Sequence, residues 1–367
     1  MSDSYPWLGL DIGGANIKAA HTSQWSESAS FPLWRFPDNL GTAVAQVLED
    51  APAFIGIALT MTGELADCYQ TRAEGVARIL EQITNIVPAS MVRVYGVDSK
   101  WRSVSGAARD PWMVAASNWH ALASYVSQSL DCVNALLIDI GSTTTDLIPM
   151  IDGRPALAAR TDSQRMQCGA LVYTGTERSN VAAISNQVPL HGSPCPVMNE
   201  LFATSMDVHL WLGDREESPD RCDTADGKPA TRSLARYRLA RIVGEDGSTL
   251  ADEDINAIAQ KIRRDQAQLI ADAMQKVWAQ AQSGLVESVA GGKGSRTKKK
   301  NGAQSRNNLE QIIVCGQGDF LVEDAISLLE WSVPRKSWKE SFGSDLSRSA
   351  PAYAVAKLAQ IQIGDGS

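Results

Sequence analysis

Two stretches of the chain, 128 residues apart, repeat one plan and constrain the fold more than any other feature. Trp7-Leu8-Gly9-Leu10-Asp11-Ile12-Gly13-Gly14-Ala15-Asn16-Ile17-Lys18 is an apolar run ending in Asp, a glycine turn and a second apolar run. Ala135-Leu136-Leu137-Ile138-Asp139-Ile140-Gly141-Ser142-Thr143-Thr144-Thr145-Asp146-Leu147-Ile148 does the same. Asp139-Ile140-Gly141 falls on Asp11-Ile12-Gly13, and Asp146 falls on Lys18. Such a pattern reads as strand, tight turn, strand. A hairpin repeated at this distance predicts two domains of related plan. With 367 residues, 44% of them apolar, the chain can bury a core in each.

Between the hairpins, apolar spacing predicts helices near 40–48, 73–83 and 119–130, and strands at 54–59 and 92–97. Beyond the second hairpin it predicts helices at 198–212, 233–243 and 252–281. A strand at 311–315, a helix at 321–329 and a last helix at 350–361 follow. The segment 291–308 is rich in Gly, Ser, Lys and Asn, with six Lys or Arg between Lys293 and Arg306 and no acid. It reads as a solvated, disordered insertion that is dispensable to the core.

Forty-two acidic against 34 basic residues give a net charge of −8. General nucleic-acid binding depends on clustered positive charge, so nucleic acid is not an expected partner. No apolar run reaches the length that spans a bilayer, and the first residues lack the pattern of a signal peptide. Six cysteines without a Cys-x-x-Cys read as reduced thiols. A cytoplasmic protein is expected.

The chemistry is expected at the hairpin tips. Glycine turns bring backbone N–H groups close to a ligand and form an anion-binding concavity. Gly13, Gly14, Asn16 and Gly141 shape the two tips, and Ser142, Thr143 and Thr144 add hydroxyls to the second. Asp11 and Asp139, at the strand ends, suit a hydrated Mg²⁺. Lys18 can neutralise a phosphoryl oxygen. Gly316-Gln317-Gly318-Asp319, after a strand, offers a third loop, with Gly316 and Gly318 against a ligand. Glu64 and Asp67 are candidate acids near a cleft, and Arg72 can hold a phosphate bidentately. His191 and Cys195 are too few for a metal site.

The order of these three loops resembles the actin-like ATPase and sugar-kinase superfold. That resemblance implies an α/β protein of two RNase H-like domains around a cleft. The expected division is 1–130 plus 349–367 for the first domain and 131–348 for the second. Thr60-Met61-Thr62-Gly63-Glu64-Leu65-Ala66-Asp67, Thr71-Arg72-Ala73-Glu74-Gly75-Val76 and Ala115-Ala116-Ser117-Asn118-Trp119 narrow the resemblance. So do Gly169-Ala170-Leu171-Val172-Tyr173-Thr174-Gly175 and Thr224-Ala225-Asp226-Gly227-Lys228-Pro229. Together they resemble the hydantoinase/oxoprolinase-like family linked to tetrahydromethanopterin one-carbon transfer, whose archaeal members include a methanofuran-biosynthesis synthase. The chain departs from that family's pattern at Glu177-Arg178-Ser179-Asn180, where Arg-Thr is expected.

The resemblance implies a transferase, with phosphate or diphosphate as leaving group, that condenses a phosphorylated furan-methanol-type compound with an amine- or phenol-bearing partner such as γ-glutamyl-tyramine. It adds Asn118, Tyr173 and Thr174 as substrate contacts, with Asp11, Asp139, Lys18 and Glu64 as the catalytic set. An ATP-dependent kinase, an oxoprolinase-type amidohydrolase and a non-catalytic nucleotide-binding partner protein are the competing expectations. ATP is therefore a candidate ligand beside Mg²⁺.

Overall fold

The computed structural model describes residues 5–129, 133–283 and 308–364. Most of the basic segment at 291–308 lies outside the described residues. The first sheet holds β1 (Trp7–Ile12), β2 (Asn16–His21), β3 (Ser26–Ser30), β4 (Gly56–Met61), β5 (Val92–Tyr95) and β6 (Trp101–Arg102), in the order β3-β2-β1-β4-β5-β6. The second holds β7 (Ala135–Ile140), β8 (Thr145–Ile151), β9 (Arg154–Pro155), β10 (Leu171–Val172), β13 (Gln311–Gly316) and β14 (Arg335–Ser337). Its order is β10-β8-β7-β13-β14, with β9 beside β8. A separate hairpin joins β11 (Gln187–Leu190) and β12 (Ser193–Pro196).

The two sheets share one topology. In each, a central strand pairs antiparallel with the strand that follows it and parallel with a later one, β4 or β13. A further parallel strand, β5 or β14, lies beyond. This is an RNase H-like plan used twice, as the repeat predicts. β1 and β7 are buried at every residue. A central strand covered on both faces needs a near-continuous apolar run, and Trp7–Ile12 and Ala135–Ile140 are such runs.

The Ala350–Gln362 helix returns from the far end of the chain to lie on β1 and on the Asn118–Ser129 helix. Its Ala-rich face makes the approach close: a Cβ on Gly9 would stand 1.8 Å from the Ala352 carbonyl oxygen. No side chain fits there, so Gly9→Ala must push helix from sheet. We expect a loss of about 3 kcal/mol, the upper part of the range for overpacked cores. Denaturant unfolding checks this; an unchanged midpoint would refute the contact.

Several boundaries differ from the sequence reading, two of them in ways that bear on the site. The helix expected from residue 198 starts only at Ser205. There the Asp207 carboxylate accepts from the Thr204 N–H (2.9 Å), fixing the N-terminus at a point that apolar spacing cannot show. The strand expected at 54–59 runs over Gly56–Met61, so Thr60 and Met61 extend β4 beside Asp11 and Ile12 and are not part of a loop.

Candidate functional site

The two hairpin tips close in the same way. The Gly13 N–H donates to Asn16 O (2.9 Å), and the Gly141 N–H donates to Thr144 O (2.9 Å). The tips face each other: Asn16 Nδ2 donates to Ser142 Oγ (3.0 Å), linking residues 126 apart in sequence. Between them lies a cavity of about 560 Å³. Asp11, Gly13, Gly14, Asn16 and Lys18 line it from the first hairpin. Asp139, Gly141, Ser142, Thr143 and Thr144 line it from the second, and Asn118 and Tyr173 complete the expected set. Among the described residues, the N–H groups of Gly14, Ala15, Ser142 and Thr143 meet no protein acceptor. Free N–H groups at two facing glycine turns suit an anion.

Strand register sets the charges. In the first hairpin Asp11 stands opposite Lys18; in the second Asp139 stands opposite Asp146. Directly opposed like charges destabilise a ladder. The second hairpin offsets this with Arg165, ion-paired to Asp146 and stacked over Trp119 at 4.7 Å. Burial is the largest influence on both strand-end acids. It raises Asp11 above the usual carboxylate range, opposed by Lys18 and by hydrogen bonds from Asn118 Nδ2 (3.4 Å) and Thr60 Oγ1 (3.2 Å). It pushes Asp139 up to about 6; Lys18 opposes this and the Asp11 charge adds to it.

A divalent cation would satisfy such a pair of carboxylates. Among the described residues no group of three or more His, Cys, Asp or Glu could hold a metal, so the chain builds no all-protein cage. A Mg²⁺ bound through one or two carboxylates, waters and substrate phosphate would find its protein oxygens in Asp11 and Asp139, which both line the cavity.

Five expected site residues do not line the cavity. Glu64 is 1% exposed, and burial pushes its carboxyl up to about 7, with Arg72 opposing at 3.5 Å. Arg72 is held between Glu64 and Asp162 (3.6 Å), over Trp112 at 5.0 Å. Its partner Asp162 lines the cavity; Arg72 itself does not. Thr174 is buried and committed, donating to Ser179 Oγ (3.2 Å) and accepting from Gln266 Nε2 (2.9 Å). Gly316 has φ +88°, and a Cβ there would stand 2.2 Å from Ile140 O, so it is glycine to let β13 end against β7. Gly318 packs on the Ile140 side chain in the same way.

The cavity also takes residues that the sequence reading did not assign to it: Trp34, Asp146, Asp162, Arg165 and Arg178. Asp162 and Arg165 lie on the Asp162–Cys168 helix, whose start carries a legible signal. Thr161 and Gln164 form a capping box, each side chain accepting from the other's N–H at 3.3 Å. Trp34 and Arg178 carry no comparable signal.

The model of the hydantoinase/oxoprolinase family matches residues 56–362. Over 359 residues the chain is 31% identical to the (4-{4-[2-(gamma-L-glutamylamino)ethyl]phenoxymethyl}furan-2-yl)methanamine synthase of Methanocaldococcus jannaschii, covering 97% of this chain and 98% of that one. The protein of the same name from Methanococcus vannielii is 31% identical over 239 residues, 64% of this chain and 95% of its own. Among solved structures, the inorganic polyphosphate/ATP-glucomannokinase from Arthrobacter sp. strain KM aligns with a TM-score of 0.42 at 13% identity, covering 98% of this chain and 100% of that one. Among the described residues no helix is long and apolar enough to cross a membrane. With the family's model matched over most of its length and a relative aligned almost end to end, this chain belongs to the hydantoinase/oxoprolinase family.

Proposed function

We propose that this protein is a transferase that forms an aryl ether between a phosphorylated furan-methanol-type donor and a phenol-bearing acceptor. The relatives' name describes a product in which a phenoxymethyl ether joins a furan-methanamine to a γ-glutamylated aminoethylphenyl group. The observation that carries the reading to this chain is the pair of facing tips, whose free N–H groups and buried acids suit a departing phosphate.

In this reaction the phenol oxygen attacks the donor's methylene carbon. The carbon–oxygen bond to phosphate breaks, its electron pair leaves with the phosphate, and the phenolic proton goes to solvent. Gly14, Ala15, Ser142 and Thr143 hold the phosphate as charge builds on it, which is electrostatic stabilisation of the transition state. Lys18 neutralises a phosphoryl oxygen. Mg²⁺, held by Asp11 and Asp139, would supply further positive charge at the leaving group. Asn118 keeps Asp11 in place.

We take the two sheets as cores of two domains, 1–130 plus 349–367 and 131–348, that close on the donor. Gly316 and Gly318 pack against Ile140, with Gly316 beside the Asp139 carboxylate. In the direct test, purified protein is incubated with a phosphorylated furan-methanol amine, γ-glutamyl-tyramine and Mg²⁺. Mass spectrometry should find the ether with one phosphate or diphosphate released per bond formed, according to the donor supplied, and ATP alone should not turn over. ATP hydrolysis without ether formation would establish the kinase-type alternative instead. Binding has its own readout: donor phosphate with Mg²⁺ should protect both 11–16 and 139–145 from hydrogen exchange. Protection of one tip alone would refute a shared cleft.

A further inference from the structure

Arg178 and Trp34 meet across the cleft. Trp34 comes from the chain between β3 and β4, whereas Arg178 follows the loop under the second tip, its N–H donating to Ser142 O (2.9 Å). The guanidinium carbon stands 4.4 Å from the centre of the Trp34 ring. Both residues line the cavity that holds the hairpin tips, as does Tyr173, which is 68% exposed. The other cations of this cavity are placed at its acidic floor: Lys18 stands opposite Asp11, and Arg165 is paired with Asp146. Arg178 lies against the Trp34 ring instead, with the Asp223 and Glu177 charges and Tyr173 nearby. Among the described residues its side chain makes no hydrogen bond or ion pair, although it faces a cavity.

A guanidinium lying flat on an indole keeps its in-plane N–H groups free. Those donors match the two oxygens of a carboxylate. Trp34 and Tyr173 supply faces for a flat ring beside that cation. We propose that Trp34, Tyr173 and Arg178 form the acceptor subsite. The two rings pack the acceptor's phenyl group, and Arg178 binds a carboxylate at the end remote from the phenol. The assignment rests on the ether-forming reading above and names what selects its acceptor. Because Trp34 and Arg178 come from opposite sides of the cleft, an acceptor held by both also favours closure.

The test compares γ-glutamyl-tyramine, which carries the carboxylate, with tyramine, which does not. Wild-type protein should prefer the acid, and Arg178→Met should remove most of that preference by raising KM for the acid about 10- to 100-fold, as expected for a lost charge-assisted contact. KM for the phosphorylated donor should move far less, and Arg178→Lys should restore part of the preference. A rise confined to donor KM would make Arg178 a phosphate ligand and overturn the proposal. So would an unchanged preference in a folded Arg178→Met protein. Direct binding of the two acceptors, followed by tryptophan fluorescence, separates this proposal from the reaction itself. Weaker binding of the acid to Arg178→Met, with no ether formed by wild type, would keep the subsite and refute the transferase. Equal binding of acid and amine to wild type, with ether formed, would do the reverse.

Discussion

Asp139→Asn will abolish most turnover and at the same time stabilise the free protein at neutral pH. The activity loss should be about a hundred- to a thousand-fold, the usual effect of removing one electrostatic contributor to a transition state. The stability gain follows from burial, which lifts the Asp139 carboxyl from 3.8 to about 6. A group raised in the folded state favours folding while it holds its proton. That contribution is intact below about pH 4 and is lost as pH rises through about 6. At pH 7 to 8 wild type therefore carries a cost of up to about 3 kcal/mol, two pKa units' worth, that asparagine does not. Melting curves of the two proteins should coincide near pH 4, separate with rising pH and stay separated above about pH 7. Asp11 is raised by burial as well, so Asp11→Asn should follow the same direction. A variant with wild-type turnover would remove Asp139 from the site. One that is inactive and less stable at every pH would mean that the carboxylate holds the fold.

The second large effect is expected at Glu177. Its carboxylate is 5% exposed and accepts from Arg215 Nη2 and Arg221 Nη2, both at 2.6 Å. Burial alone would raise Glu177, but the two guanidinium groups outweigh it and hold the carboxyl below its ordinary range. Arg215 also donates to Thr176 Oγ1 and Gln317 Oε1, each at 3.1 Å. The Glu177 and Arg178 N–H groups donate to Ser142 O (3.0 and 2.9 Å). One carboxylate thus ties the second tip to the loop after β13. Glu177→Ala would leave partly buried Arg215 without its acid, and Arg221 with Asp223 alone; losing one partner of a buried pair typically costs about 3–5 kcal/mol. Glu177→Gln, keeping shape and losing charge, should cost less. Because Glu177 is depressed, its contribution is present above the unfolded carboxylate range and fades as pH falls through the folded value. The gap between wild type and Glu177→Ala should therefore narrow in acid. Equal unfolding midpoints at pH 7 would refute the role.

What the sequence determined by itself is local. Asp11-Ile12-Gly13 and Asp139-Ile140-Gly141 encode their own turns, because glycine after an apolar run permits a hairpin wherever the run is buried. Their repetition is enough to place two related sheets, and with them most of the cavity floor, in the right order. The Thr161–Gln164 cap is equally local and equally legible. Tertiary structure decided the rest. Arg178 reaches Trp34, and Asn16 reaches Ser142, only because the fold brings the two hairpin tips together across the cavity. No periodicity in the chain records a contact between residues more than a hundred positions apart. The same packing withdrew Glu64, Arg72, Thr174, Gly316 and Gly318 from the cavity lining. Their residue types suit ligand contact as well as those at the tips do, but burial and neighbouring partners claimed them first. Residue chemistry can mark a side chain as able to bind; which side of a packed surface it faces depends on everything packed against it.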